Sequence, residues 1–153
     1  MSSTRREPVK TPPSVEGYFA ALRANDPAAW AACFAPDAVG EDPAGAPALR
    51  GRAAFQQMLT DFLPTWGRFD GIREDEVFAA GPATAVRWTG SGQSLSGREI
   101  SWSGMNLYLL DDGGLIERFW AVFDADDLQR QLSGEATNTT DETTRADDDD
   151  QQH

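Results

Sequence analysis

Apolar residues recur at helical spacing through the first half of the chain and at strand spacing through the second. Val15, Tyr18, Phe19 and Leu22 fall on one helical face, with Ser14 placed to cap it and Asn25-Asp26 to stop it. Asp26 followed by Pro27 predicts a second helix, carrying Trp30, Cys33 and Phe34 up to Pro36. A third, over residues 52–63, gathers Phe55, Met58, Leu59, Phe62 and Leu63 on one face. After Pro64 the period changes. Residues 69–78, 84–89, 99–110 and 115–123 are rich in β-branched and aromatic side chains and are separated by Gly-Pro, Gly-Ser-Gly and Asp-Asp-Gly-Gly, so they read as consecutive antiparallel strands. A short helix over 125–132 closes the pattern. Three helices followed by a meander predict an α+β domain, in which the helices lie against one side of a strongly curved, mainly antiparallel sheet and enclose an apolar pocket.

The pattern fails at both ends. Residues 1–13 are polar and hold three prolines, which predicts a flexible arm; from Gly134 onward no large apolar residue occurs, which predicts a disordered acidic tail. One domain, residues 14–133, is left between them. The chain has 13 basic and 25 acidic residues, net −12, and residues 134–153 alone contribute seven acids against one arginine. That charge repels phosphate backbones and anionic lipid, which excludes nucleic acid and membranes as partners. No apolar run approaches the ~20 residues of a membrane helix, and the N-terminus lacks the apolar stretch of a signal peptide, so a cytoplasmic location is expected. With one cysteine, Cys33, and one histidine, His153, the chain offers no internal disulfide, no Cys/His zinc site and no Ser-His-Asp triad. Asp147 to Asp150 are consecutive carboxylates without a turn residue, a solvated tail in place of a metal site. Neither metal nor cofactor is expected.

Chemistry therefore falls to carboxylates, tyrosine and asparagine. Glu41 and Asp42 are adjacent acids in an extended segment before Pro43, where neighbours face opposite ways, so one points to solvent and the other inward. On its own an Asp-Pro in a loop reads as a turn acid bonded to local backbone N–H groups.

Two motifs change the balance: YxAALxAxD at 18–26 and FAxDAxxEDPxG at 34–45, with Gly51 following. Together with the order of elements over roughly 14–132 they resemble the NTF2-like superfamily and, within it, the ketosteroid isomerases and SnoaL-like proteins. The resemblance implies a cone-shaped fold, with Asp42 on the isomerases' general base and Tyr18 on the phenol of their oxyanion hole. Their third residue, a protonated aspartic acid on a late strand, falls on Asn106, a departure from the pattern. An amide NH₂ also donates a hydrogen bond, more weakly to a charged oxygen. Strand alternation sets Trp102, Gly104, Asn106 and Tyr108 on one face. The positions expected to support the phenol, Phe34, Met58 and Leu59, cannot hydrogen-bond, so Tyr18 is expected to stand alone. Residues 89–100, rich in Gly and Ser, are expected to reshape the mouth of the pocket.

Phe34, Met58, Trp88, Trp102, Phe119 and Phe123 are the candidate substrate-lining residues, each equally readable as core. Trp120, out of phase with Phe119, is expected to face outward into a homodimer interface, and Arg87 and Arg118 to pair with the acidic surface. Asp42, in an apolar pocket without a cation, should titrate above ~3.9. The expected function is a ketosteroid isomerase-like transfer of a double bond next to the carbonyl of a small hydrophobic compound. The alternatives are a non-catalytic small-ligand-binding protein and a SnoaL-like polyketide cyclase.

Overall fold

A computed structural model describes residues 10–134. The elements are α1 (Pro13–Arg23), α2 (Pro27–Ala31), β1 (Phe34–Glu41), β2 (Leu49–Arg50), α3 (Arg52–Phe62), a 3₁₀ turn (Leu63–Thr65), β3 (Trp66–Ala80), β4 (Ala83–Ser94), β5 (Glu99–Leu110), β6 (Ile116–Phe123) and α4 (Ala125–Ser133). Six strands form one open, curved sheet in the order β2-β1-β6-β5-β4-β3. Every pairing is antiparallel except β1 with β6, which run parallel. The α+β class and the mainly antiparallel sheet are as expected. The acidic tail, apart from Gly134, and the first nine residues of the arm lie outside the described residues.

The helix boundaries show which local signals won. Asp26 caps α2 as expected, its Oδ1 accepting from the Ala29 N–H at 3.0 Å with Pro27 in the first turn. Ser14 does not cap α1: the helix starts one residue earlier, at Pro13, whose fixed φ suits a first turn, and Ser14 is drawn inside. Asn25 ends α1 at φ +55°, its amide donating to the carbonyls of Leu22 and Phe69 at 3.1 and 3.0 Å.

The larger difference is β1. The expected helix through Phe34 stops at Ala31, and Phe34 opens a strand that runs to Glu41. Pro36 lies inside this strand, where the pairing with β6 changes register between Phe34 and Val39; a residue with no N–H cannot extend a regular ladder. The 89–100 segment continues β4 to Ser94, so its Gly and Ser residues are mostly strand.

Burial alternates along β4 and β5, and their inward residues, Val86, Trp88, Trp102, Asn106 and Tyr108, meet the inward residues of α1, α2 and α3 in one core. Small residues make room for the indoles. A Cβ on Gly90 would sit 2.5 Å from the Trp102 ring, and one on Gly104 would sit 2.7 Å from that of Trp88. The outward face of β5 and β6 exposes Met105, Leu107 and Val122.

Candidate active site

The last residues of β1 carry the two adjacent acids to different fates. Glu41 is the turn acid: its Oε1 accepts from the Gly45 N–H at 2.7 Å. The Ala44 N–H donates to the Ala121 carbonyl of β6 at 2.7 Å, which pins the following loop to the sheet. Asp42, between these anchors, turns inward and lines a cavity of about 210 Å³ bounded by α1, α2, α3, the inner face of the sheet and α4. Its carboxyl accepts no hydrogen bond among the described residues, and no arginine or lysine among them lines the cavity. Although Asp42 is half-buried and keeps some solvent contact, its apolar surroundings disfavour the anion and push its pKa up to about 6.

Beside it a buried polar cluster faces the same cavity. The Trp88 Nε1–H donates to Asn106 Oδ1 at 2.9 Å, and Asn106 Nδ2 donates to the hydroxyls of Tyr18 and Tyr108 at 3.2 and 2.8 Å. Tyr18 and Tyr108 pack edge to face with centroids 5.2 Å apart, and their hydroxyls share the Asn106 amide as donor. Burial raises both phenols well above 10; the charge of Asp42 adds to the rise at Tyr18, and the neighbouring Tyr18 to that at Tyr108. Both therefore stay protonated near neutral pH. A free carboxyl that titrates near neutrality, next to a phenol that stays protonated, can remove a proton from carbon while an oxygen of the same ligand is hydrogen-bonded.

The model of the SnoaL-like domain matches residues 15–119. The chain belongs to the SnoaL-like domain family. It is also 50% identical over 44 residues to the steroid Δ-isomerase of Nocardioides simplex, a match that covers 29% of this chain and 36% of that enzyme. Two solved structures share the fold. TerC, crystallised with polyporic acid, superposes with a TM-score of 0.68 at 17% identity over 78% of this chain and 95% of its own. SalBIII, described as an epoxide hydrolase/cyclase-like enzyme in pyran ring formation in salinomycin, gives 0.65 at 20% identity over 74% and 90%.

Within this SnoaL-like domain, Tyr18, Asp42 and Asn106 all line the one cavity, as do Met58, Trp88, Trp102 and Phe123. Phe34 and Phe119 do not. Phe34 stacks on Phe55 at 4.2 Å, and Phe34 and Phe119, turned inward from β1 and β6, both pack against the Tyr18 ring, which leaves the phenol between them and the cavity. The expectation that Tyr18 stands alone is overturned: its support comes from the sheet, through Asn106, whose amide also donates to Tyr108, and not from the helices. Tyr108, two residues beyond Asn106 on the same strand face, was the legible signal for that support. Trp30 and the α4 residues Ala125, Leu128 and Gln129 also line the cavity and were missed. Arg87 pairs with Glu76 at 3.3 Å, and Arg118 lies over the half-buried Trp120 at 5.3 Å instead of pairing with an acid. Among the described residues no cluster of His, Cys, Asp or Glu could hold a metal ion, and no helix is long and apolar enough to cross a membrane.

Proposed function

We propose that this protein is an isomerase that moves a double bond into conjugation with the carbonyl of a small hydrophobic ketone, acting in the cytoplasm. Asp42, ionised, takes a proton from the carbon between carbonyl and alkene. The electron pair shifts onto the carbonyl oxygen, where the Tyr18 O–H meets the developing charge. The protonated Asp42 then returns the proton to the far alkene carbon, and the conjugated ketone leaves with no net gain or loss of atoms. The observation that carries this reading is Asp42 itself, a carboxyl in an apolar cavity with no hydrogen-bond partner or counter-ion among the described residues, its pKa pushed up to about 6 by burial. A structural or turn carboxylate would be bonded, as Glu41 is. The likeness to a steroid Δ-isomerase over 44 residues supports the same chemistry. A SnoaL-like cyclase would use the same base to make a carbanion that attacks a second carbonyl, and the cyclase-like SalBIII shares the fold.

The test is an ultraviolet assay for enone formation from a Δ5-3-ketosteroid and from a smaller β,γ-unsaturated ketone, with wild type and Asp42→Asn side by side. Turnover by the wild type and a loss of ~10²- to 10⁴-fold in the variant are expected. No wild-type turnover on either substrate removes the isomerase reading, and equal turnover removes Asp42 from the mechanism.

We also propose that a second copy of the chain covers the outward face of β5 and β6. Met105 there opposes Val122 and Leu107 opposes Trp120, giving a contiguous apolar patch at the sheet centre. Light scattering should give a dimer for the wild type and a monomer for Leu107→Lys. A wild-type monomer would contradict the proposal.

A further inference from the structure

The hydroxyl of Tyr18 accepts from a side chain that can only give it a hydrogen. An indole N–H has no acceptor capacity, so the Trp88 Nε1 that lies 2.9 Å from the Asn106 side chain must meet its carbonyl oxygen, which turns the amide nitrogen toward the tyrosines. Both amide hydrogens are then taken, one by the Tyr18 hydroxyl and one by that of Tyr108. No hydrogen bond joins the two phenols among the described residues, so the Tyr18 proton is not spent on Tyr108, which is buried and does not line the cavity. Trp30 packs against the Tyr18 ring at 5.4 Å, and its unpartnered Nε1 is another donor that cannot accept.

We infer that Trp88, Asn106 and Tyr108 are positioning residues that fix the direction of one hydrogen-bond chain, whose single outlet is the Tyr18 O–H pointing into the cavity. The chain runs from Trp88 to Asn106 and from Asn106 to both phenols. Asn106 therefore lines the cavity but has no N–H left to donate to the ligand. The cavity selects an acceptor oxygen, a carbonyl or an enolate, and rejects a group that can only donate. This rests on the proposed reading only in requiring that the ligand carry such an oxygen.

The test uses binding and needs no turnover. The probe is 4-(dimethylamino)benzaldehyde, whose charge-transfer band moves to longer wavelength when its carbonyl accepts a hydrogen bond, compared with 4-(dimethylamino)styrene, which has the same shape and no oxygen. The wild type should bind the aldehyde with a red shift that is constant from pH 7 to 9, and bind the styrene about tenfold more weakly. In Asn106→Asp the new carboxylate would accept from Trp88 and from both phenols, pulling the Tyr18 proton away from the cavity. The red shift should then vanish at pH 9 and return as the pH is lowered. The titratable groups facing position 106 are Tyr18, Tyr108 and, on the same cavity, Asp42; the phenols stay neutral over this range and Asp42 is ionised throughout it. A red shift in Asn106→Asp that is equal or larger at pH 9 overturns the inference, because that is the result expected of a side chain that contacts the ligand itself. So does equal binding of aldehyde and styrene by the wild type, a comparison that stands if the variant fails to fold. Absent turnover with these results intact would remove the isomerase reading and leave the chain direction assigned.

Discussion

Asp42 and Asp70 are the same residue in two regions of the molecule with opposite electrostatics. Asp70 lies on β3 among exposed strand residues, accepts from Arg68 at 2.8 and 3.2 Å and from Ser91 at 3.3 Å, and is held below the usual carboxylate range, chiefly by the Arg68 hydrogen bonds. Asp75, further along the same strand, is lowered by its hydrogen bonds to Thr89 and Arg73. Asp42 has no cation and no donor beside it among the described residues, and burial raises it to about 6. The surface carboxylates are too well satisfied to take a proton from carbon at neutral pH. The cavity carboxyl carries no such partner among the described residues, which is the state the proposed base requires. What separates the two acids is the presence or absence of partners.

The largest effect that would break this contrast is the loss of the base in Asp42→Asn, already described; Asp70→Asn should leave turnover unchanged in the same assay. Next, Tyr18→Phe should slow turnover by about 10²-fold, mostly in kcat, since a lone donor acts on charge that develops in the transition state. An unchanged kcat would mean that the oxygen is held elsewhere. The contrast is sharpened by giving Asp42 what Asp70 has: Met58→Lys places a cation on the cavity wall and should move the acid limb of the rate profile, expected near pH 6, down by about 1–3 units. A limb that stays in place would show that another group sets it. Smallest are the stability effects, and their signs differ. The raised pKa of Asp42 makes its neutral form the stabilising one, present below about pH 4 and lost as pH rises through 6, so Asp42→Asn should be more stable than wild type by about 1–2 kcal/mol at pH 8 and equal to it at pH 4. Asp70 is lowered and adds stability above its unfolded pKa, so Asp70→Asn should lose up to ~0.5 kcal/mol at pH 8, an amount that fades with salt. Denaturant titrations at the two pH values read both.

Much of the fold was legible because period and punctuation agreed: Asp26-Pro27 opened α2, the stripe through Phe55 and Leu59 gave α3, and Asp-Asp-Gly-Gly separated β5 from β6. The strand β1 was hidden, since Pro36 reads locally as a stop while the pairing with β6 that holds Phe34–Glu41 is a long-range contact. The inward turn of Asp42 was legible from alternation and from the motif around it, although which of the two acids would be satisfied by the loop depends on the Gly45 N–H, a matter of three-dimensional placement. Phe34 and Phe119 look like pocket aromatics by composition, and only packing shows the Tyr18 ring standing between them and the cavity. The network behind Tyr18 was not legible along the helices, because its partners come from β4 and β5 across the core.

The claim tested most directly is that Asp42 is an unpartnered carboxyl in an apolar cavity. Carbon-13 NMR of protein labelled at the aspartate carboxyls, with Asp42→Asn to assign the resonance, reads its titration without any substrate. A midpoint near 6 for the resonance that disappears in the variant, with Asp70 and Asp75 titrating below the ordinary range, is the expected result. A midpoint for Asp42 at or below 4 would contradict the account, since it would mean that the carboxyl is solvated or paired like its surface counterparts.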